Sequence, residues 1–272
     1  MTSRRYDVSD LLTLMARLRD PVDGCPWDIE QSYRTIAPST IEEAYEVVDA
    51  IERENYDHLR EELGDLLFQV IFYSQLAEEE QRFNFNDIVS ELVTKLVRRH
   101  PHVFPENTLE SRVGALGRDS DTEIKARWEA LKAEERAAKG QQGVLDDVPV
   151  NLPALTRAAK LQKRAANVGF DWPDIGGVLD KVEEEIGELR QAIKTDDKAA
   201  ITDEMGDLLF ALVNGCRHLK VEPEGALRGT NSKFERRFQY IEQQLSVQGQ
   251  TPEEASLALM DSLWDKAKTE GL

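Results

Sequence analysis

Apolar residues recur at steps of three and four along most of the chain, which is the spacing of one face of an α-helix. In the clearest stretch, Ile41, Tyr45 and Val48 precede a second apolar series that begins at Leu63. The polar segment ERENYDH, at 52–58, separates the two series. The pattern predicts two amphipathic helices joined by a short turn and packed as an antiparallel hairpin.

The same pattern returns at 176–219, with KTDDK at 194–198 as the turn. Each of four acidic residues in the first stretch has an identical residue 142 positions later. The pairs are Glu43 and Glu185, Glu46 and Glu188, Glu62 and Glu204, and Asp65 and Asp207. The repeat extends outward, because GCPWD corresponds to GFDWP and KLVRR corresponds to KFERR. This self-similarity indicates an internal duplication of a whole domain.

The fold class that follows is all-α, with two related helical domains. Glycine and proline interrupt a charged helical stretch within KGQQGVLDDVPVNLP, at 139–153. We therefore expect an N-terminal domain at 1–140 and a C-terminal domain at 141–272. A second irregular segment, RHPHVFPEN at 99–107, is predicted to be a loop.

Composition narrows the function. A net charge of −18 over 272 residues would repel nucleic acid, so we expect no nucleic-acid partner. No run of 18 apolar residues and no signal-peptide pattern occur, so neither a membrane partner nor export is expected. The two cysteines, Cys25 and Cys216, have no metal-ligand spacing and fit a reducing cytoplasm.

The duplicated acids suggest a metal site. Residues three apart on a helix share a face, so Glu-x-x-Glu on one helix and Glu-x-x-Asp on the next would converge in the folded hairpin. Four carboxylates at one place repel unless cations lie among them, and hard oxygen ligands suit Mg²⁺, with Mn²⁺ as a substitute. The alternative is that these acids form a solvated helix face. The presence of the same four acids in a second copy argues against this alternative. The apolar runs at 66–68 and 208–210 are expected to pack in the core.

Several other site types find no support. The chain has no Gly-x-x-x-x-Gly-Lys loop and no glycine-rich strand turn, which argues against P-loop and Rossmann sites. The histidines do not form a ligand set, so we assign no metal role to His58, His100, His102 or His218.

At this point the chain resembles the MazG family of nucleoside triphosphate pyrophosphohydrolases in its two-domain bacterial form. The resemblance rests on LRDPVDGCPWD, IEEAYEVVDAI, RRHPHVF, LPALTRAAKLQKRAANVGFDW, KVEEEIGEL, DEMGDLLF and KFERRF. ExxE and ExxD alone are shared with a wider all-α superfamily that includes dimeric dUTPases and phosphoribosyl-ATP pyrophosphohydrolases. The resemblance implies hydrolysis of a nucleoside triphosphate to monophosphate and diphosphate, and a homodimer whose hairpins form four-helix bundles.

The resemblance also implies roles for individual residues. Mg²⁺ would be held by Glu185, Glu188, Glu204 and Asp207. Our own assignment for the group that takes the proton of the attacking water is either Glu184 or Glu185. Nucleotide contacts are implied at Lys233, Glu235, Arg236, Arg237 and Trp264, although the basic residues could instead be a solvated helix end. From helix spacing, Lys181 could reach a phosphate oxygen and Asn214 could bond the nucleotide. Trp172 could line the base pocket or could simply pack.

The two copies differ around their shared acids. Ser39 corresponds to Lys181, Phe72 corresponds to Asn214, and Val97 replaces Glu235 of KFERR. We therefore expect the C-terminal domain to be catalytic and the N-terminal domain to be weakened, structural or regulatory, which is also the assignment the family resemblance implies.

Three functions stay open at this point. The first is a Mg²⁺-dependent pyrophosphohydrolase of broad nucleotide range that clears unwanted nucleotides or acts in stress. The second is a specialised, dUTPase-like enzyme. The third is a noncatalytic dimeric module that binds nucleotides or another protein.

Overall fold

The computed structural model describes residues 5–112 and 143–272, together with residues 120, 122–124, 127, 128, 130, 131 and 135. All regular structure within these residues is helical. The chain divides into two compact units, Met1–Lys132 and Ala133–Leu272. The prediction of an all-α fold built on a repeated hairpin is confirmed. The boundary predicted at 140 and much of the charged stretch before it lie outside the described residues.

The N-terminal unit contains five helices between residues 8 and 99. They are α1 (Val8–Leu18), α2 (Pro26–Glu30), α3 (Tyr33–Glu52), α4 (Tyr56–Glu79) and α5 (Phe85–Arg99). Helices α3 and α4 form the predicted hairpin, and α1 packs against α4. The core of this unit consists of Met15, Ile36, Ile71, Phe72 and Leu76.

The C-terminal unit repeats the hairpin. Its helices are α6 (Ala154–Ala166), α7 (Ile175–Thr195), α8 (Lys198–His218), α9 (Pro223–Val247) and α10 (Leu257–Thr269). Helix α8 packs along α7 and against α6, and α9 packs along α10. A small core of Ile241, Leu245 and Leu263 joins α9 to α10.

Both hairpin turns are short because polar residues end one helix and start the next. Asn55 caps α4 by accepting from the backbone N–H of His58 at 3.2 Å. Asp196 ends α7 in the left-handed region at φ 51°, and Asp197 caps α8 through the N–H groups of Ala199 and Ala200. Such caps satisfy N–H groups that the helix itself leaves without partners.

The loop predicted at 99–107 is confirmed, because α5 ends at Arg99 and residues 100–107 form turns and bends. Among the helices in the described ranges, none has both the length and the apolar character needed to cross a membrane.

The prediction that residues 208–210 pack in the core is wrong for two of the three. Leu209 is 47% exposed and Phe210 is 45% exposed, while Leu208 is half-buried. Three consecutive helical residues span about 200° of the helix circumference, so one neighbouring helix cannot cover all of them. Leu67 of the first copy is likewise 38% exposed. Each hairpin therefore presents an apolar surface that its own unit leaves open.

Candidate metal and nucleotide site

Three carboxylates of the C-terminal hairpin converge. Glu185 and Glu188 lie on α7 and Glu204 lies on α8, and one ligand oxygen from each lies within 4.8 Å of the others. The Glu-x-x-Glu spacing places the first two on one face of α7, and the antiparallel turn brings Glu204 opposite them. This confirms the predicted convergence for three of the four acids.

Glu185 is the most deeply buried of the three and is therefore called the central carboxylate. It is only 4% exposed, and its Oε2 atom is buried without a hydrogen-bond partner in the described part of the chain. A buried carboxylate oxygen without a donor is costly, and a bound cation would satisfy it. The donor set of three carboxylates is of the hard oxygen type that Mg²⁺ and Mn²⁺ prefer. These residues therefore fit a divalent cation.

Asp207 lies outside this group of three. Asp207 is exposed on α8, one turn beyond Glu204. It still acts on the group electrostatically. Burial first, and then the charges of Glu188, Glu185 and Asp207, raise the pKa of Glu204 above 4.5. A metal role for Asp207 stays a prediction.

Lys181 supplies a cation beside the carboxylates. Its Nζ donates to Oε1 of Glu184 at 2.7 Å and lies 2.8 Å from Oε1 of Glu185. Both contacts follow from helix spacing, since Glu184 and Glu185 come one turn after Lys181. The bonds to Glu184 and then to Glu185 raise the pKa of the ammonium, so Lys181 is charged at any working pH. Glu184 itself is exposed and lies outside the group of three.

Asn214 takes part in a network within the C-terminal unit. Its Oδ1 accepts from Nε and Nη2 of Arg217 at 3.0 and 2.8 Å. Arg217 also donates to Asp171 in the loop before α7, and Nε2 of His218 lies 3.1 Å from the same carboxylate. Asn214 therefore helps to hold this loop against α8, and its predicted contact with a nucleotide stays a prediction.

The predicted basic group lies on α9. Lys233, Glu235 and Arg236 are exposed there. Arg237 donates from Nε to the Leu272 carbonyl at 2.7 Å, and its guanidinium lies 5.3 Å from the ring centroid of Trp264. The group and Trp264 thus lie together on the α9–α10 pair. Glu235, the one carboxylate among these residues, is not part of the group formed by Glu185, Glu188 and Glu204.

The N-terminal hairpin carries a matching group of Glu43, Glu46 and Glu62, also within 4.8 Å of one another. Its surroundings differ. Nδ1 of His58 lies 2.9 Å from Oε1 of Glu62, so this site draws its basic neighbour from α4. Burial raises the pKa of Glu62, and the charge of His58 partly opposes that rise.

Two further positions separate the copies. Phe72, which corresponds to Asn214, is fully buried in the core, and the guanidinium of Arg19 lies 5.4 Å from its ring centroid. Val97, which replaces Glu235, is also buried. The substitutions that the sequence showed are therefore packing residues in the N-terminal unit, at positions where the C-terminal unit has polar side chains.

Sequence reasoning missed two features of these sites. His58 precedes Glu62 by four residues on one helix, and that spacing alone predicts the contact. The network of Asp171, Arg217 and Asn214 joins residues more than 40 positions apart, which no local pattern reveals.

Comparison with known proteins agrees with this geometry. A match to the MazG nucleotide pyrophosphohydrolase domain covers residues 31–104 and 177–241, which include the first hairpin and all but the first two residues of the second. A "nucleoside triphosphate pyrophosphohydrolase" of Escherichia coli (strain K12) is 53% identical over 265 residues, or 96% of this chain and 97% of that protein.

Two other relatives are more distant. A "nucleoside triphosphate pyrophosphohydrolase/pyrophosphatase MazG" of Thermotoga maritima is 40% identical over 259 residues, covering 95% of this chain and 94% of its own. A "nucleoside triphosphate pyrophosphohydrolase" of Mycolicibacterium smegmatis is 36% identical over 163 residues, covering 59% of this chain and 46% of its own. With two domain matches and relatives aligned over nearly its full length, the chain belongs to the family of MazG nucleotide pyrophosphohydrolase domains.

Proposed function

We propose that this protein hydrolyses nucleoside triphosphates to nucleoside monophosphates and diphosphate, that the reaction requires Mg²⁺ or Mn²⁺, and that the C-terminal domain carries it out. The observation that carries the proposal is Glu185, whose buried Oε2 lacks a partner within the described structure although two more carboxylates lie beside it. Family membership supplies the reaction class. Relatives named for this activity align over nearly the whole chain.

Glu185, Glu188 and Glu204 hold the cation, and Asp207 adds a fourth carboxylate at the edge of the group. When bound, the divalent cation offsets the charge of the triphosphate and of the departing diphosphate. Lys181 is released from Glu185 and donates to a phosphate oxygen instead. The carboxylates thereby set both the position and the orientation of the triphosphate.

Water attacks the α-phosphorus. A bond forms between the water oxygen and phosphorus, and the bond from the α-phosphorus to the oxygen that bridges it to the β-phosphorus breaks. Diphosphate leaves with that electron pair. Glu184 accepts the proton of the attacking water, because it adjoins Glu185 on α7 and lies outside the group of three. Its carboxylate becomes free for this role when Lys181, which donates to its Oε1 at 2.7 Å, turns to the phosphate.

The C-terminal domain is the better catalyst of the two because of the side chains that lie around its carboxylates. It places Lys181 against the central carboxylate, where the N-terminal domain has Ser39 at the corresponding position and uses His58 from the opposite helix. The N-terminal copy also buries Phe72 in its core. Its carboxylate group is retained in a weakened or regulatory domain.

The working form is a homodimer. In the C-terminal hairpin Met205, Leu209, Phe210 and Leu212 all present at least 44% of their surface to solvent. A hairpin of a second copy would cover this surface and complete a four-helix bundle, which is how isolated hairpins usually bury their second apolar face. The alternative of a noncatalytic binding module would use the same bundle without turnover.

The substrate range is broad, covering ribo- and deoxyribonucleoside triphosphates, and the role is the clearance of unwanted nucleotides or their control under stress. Both cysteines are free, which suits a protein that works in the reducing cytoplasm.

Diphosphate release from a panel of triphosphates tests the proposal, with Mg²⁺ and with a chelator. We expect release from several ribo- and deoxyribonucleotides and none with the chelator. Turnover of dUTP alone would identify a specialised enzyme. Nucleotide binding without turnover would identify the noncatalytic module.

A further inference from the structure

The amide of Asn214, on α8, is fixed in one orientation by Arg217. Its Oδ1 accepts from Nε and Nη2 of Arg217 at 3.0 and 2.8 Å. A guanidinium has donors and no acceptor, so only the carbonyl oxygen of the amide can face it. The amide nitrogen therefore points away from Arg217, and none of the residues that the structure describes accepts a hydrogen bond from it. Asn214 thus presents N–H donors, and not its carbonyl oxygen, to a ligand.

Arg217 is itself held in place by a second partner. Its guanidinium donates to Asp171 in the loop before α7, and the side chains of Arg217 and Asp171 are only 19% and 26% exposed. Nε2 of His218 lies 3.1 Å from the same carboxylate. Burial would raise the pKa of Asp171, but the bonds from Arg217 and His218 outweigh it and lower the pKa. The ionised carboxylate keeps the guanidinium in position beside Asn214.

Asn214 lies at the loop end of the α7–α8 hairpin. A Cβ atom built on the next residue, Gly215, would lie 3.9 Å from Cγ1 of Val178, so this end of α8 packs beside the first turn of α7. The loop before α7 packs on the same turn, because a Cβ atom built on Gly177 would come within 2.9 Å of Cε3 of the Trp172 indole. Asn214 is therefore at the end of the hairpin that lies farthest from its turn.

A ligand that extends from the carboxylate group towards this loop meets an ammonium and then an amide. Lys181 comes one turn before Glu185 on α7, and Asn214 comes two turns after Asp207 on α8. In a nucleoside triphosphate, the metal-binding phosphates are followed by the α-phosphate and then by the sugar. With the metal-binding phosphates at Glu185, the sugar is the part that reaches Asn214. Its hydroxyl oxygens can accept the hydrogen bond that the amide offers.

The N-terminal unit has no oriented amide at the corresponding positions. Phe72 and Gln75 stand 142 positions before Asn214 and Arg217. Phe72 is buried in the core, and Gln75 donates to Oε1 of Glu79 at 3.1 Å. The pair of amide and guanidinium is thus a property of the copy that we assign to catalysis.

We propose that Asn214 donates a hydrogen bond from Nδ2 to the 3′-oxygen of the substrate sugar, and that Arg217 is the positioning residue that keeps this donor turned towards the substrate. The inference rests on the proposed function, because it assigns the sugar subsite of that same reaction. Ribo- and deoxyribonucleotides both carry a 3′-oxygen, whereas only ribonucleotides carry a 2′-oxygen. A contact with the 3′-oxygen therefore agrees with a substrate range that covers both sugars.

Competition between dATP and 2′,3′-dideoxy-ATP tests the proposal. The full-length protein hydrolyses an equimolar mixture of the two with Mg²⁺, and the two monophosphates are separated and quantified. Their ratio gives the ratio of the two kcat/KM values, which does not depend on how much of a variant is folded. The wild type should prefer dATP roughly 2- to 10-fold, as expected for one neutral hydrogen bond. Asn214→Leu, which has a similar volume but no donor, should bring the ratio to about one.

Variants of Arg217 test its role in positioning. Arg217→Met removes the donors that orient the amide and should lower the preference for dATP. Arg217→Lys should keep most of this preference, because an ammonium also only donates. Arg164→Met is the matched control for stability, since Arg164 forms a half-buried ion pair with Asp147 in the same unit, with side chains 20% and 19% exposed. It should keep the wild-type preference although its thermal midpoint falls.

A wild-type ratio of about one would overturn the inference, and so would an unchanged ratio in Asn214→Leu. A ratio that changes in Asn214→Leu but not in Arg217→Met would overturn the positioning role, as would an equal change in Arg164→Met. Competition between ATP and dATP should give the same ratio in the wild type and in Asn214→Leu. A change there, with the preference for dATP over the dideoxynucleotide retained, would overturn the assignment to the 3′-oxygen. A wild type that releases no diphosphate would contradict the proposed function instead, so the two failures are distinguishable.

Discussion

The ammonium of Lys181 lies 2.8 Å from Oε1 of Glu185, while Oε2 of the same carboxylate is buried without a partner in the described structure. Without metal, the Lys181 ammonium is thus paired with one of the two oxygens of the Glu185 carboxylate. The contact links Lys181 to two separate properties, which are the stability of the protein without metal and catalysis with it.

Replacement of Lys181 by methionine should lower kcat/KM for triphosphate hydrolysis about 10- to 100-fold, because a charged hydrogen bond to phosphate is lost. Without metal, the thermal midpoint should also fall, since Glu185 loses the ammonium that lies 2.8 Å from its Oε1. Lys194→Met, an exposed lysine near the end of the same helix, is the control and should change neither quantity. Unchanged kinetics in Lys181→Met would remove this residue from phosphate binding.

Glu204 gives a prediction about pH. Its pKa is raised above 4.5 in the folded protein, by burial and then by Glu188 and Glu185. Between 4.5 and the raised value, the folded state binds more protons than the unfolded state. The contribution of Glu204 to the free energy of unfolding therefore increases as pH falls through this window. The affinity for Mg²⁺ should fall as pH falls through the same window, because binding requires the ionised carboxylate.

Glu204→Gln separates these two effects. The variant should be at least as stable as the wild type at pH 7 without metal, and Mg²⁺ should no longer raise its thermal midpoint. Thermal melts at several pH values, with and without Mg²⁺, measure both. Glu242→Gln, an exposed position on α9, should behave as the wild type. A large loss of metal-free stability in Glu204→Gln would contradict this account of the carboxylate group.

The Arg217 network gives a prediction about stability. Its guanidinium joins Asp171 and Asn214, and the side chains of Arg217 and Asp171 are only 19% and 26% exposed. Arg217→Ala leaves a half-buried carboxylate without its main partner, so the free energy of unfolding of the C-terminal unit should fall by about 1–3 kcal/mol. Arg53→Ala removes an exposed pair with Asp49 and should cost less than about 1 kcal/mol. An equal loss of unfolding free energy in the two variants would show that the Arg217 network stabilises the protein no more than an exposed ion pair does.

The exposed apolar side of α8 gives a prediction about assembly. Leu212 is 47% exposed there, and a lysine at this position would bring a charge into the bundle of the proposed dimer. Leu212→Lys should therefore shift the molecular mass in solution from dimer to monomer. Light scattering after gel filtration measures this, with Val247→Lys, 84% exposed at the end of α9, as the control. A monomeric wild type would exclude the proposed dimer.

The sequence predicted most of the fold because hairpins are local structures. The apolar spacing lies within each helix, and Asn55 and Asp197 directly precede the helices that they cap, so these features need no distant information. The 142-residue repeat then gave the second hairpin from the first. Three of the four acids converge as predicted for the same reason, since helix spacing fixes which side chains share a face.

The features that the sequence did not predict depend on contacts between distant parts of the chain. Nothing near Gly177 in the sequence shows that an indole lies over it, and the bonds from Arg217 to the loop at 171 are equally non-local. Periodicity identifies the residues at 208–210 as apolar without saying which surface covers them, so the prediction that they pack in the core of their own unit fails. In this chain part of that run faces away from its own unit.

The central claim is that the C-terminal carboxylate group performs the reaction and the N-terminal group does not. Diphosphate release by Glu185→Ala and by its positional equivalent Glu43→Ala, assayed side by side with Mg²⁺ and ATP, tests this most directly. We expect Glu185→Ala to lose essentially all activity and Glu43→Ala to keep most of it. Full activity in Glu185→Ala together with its loss in Glu43→Ala would contradict the account.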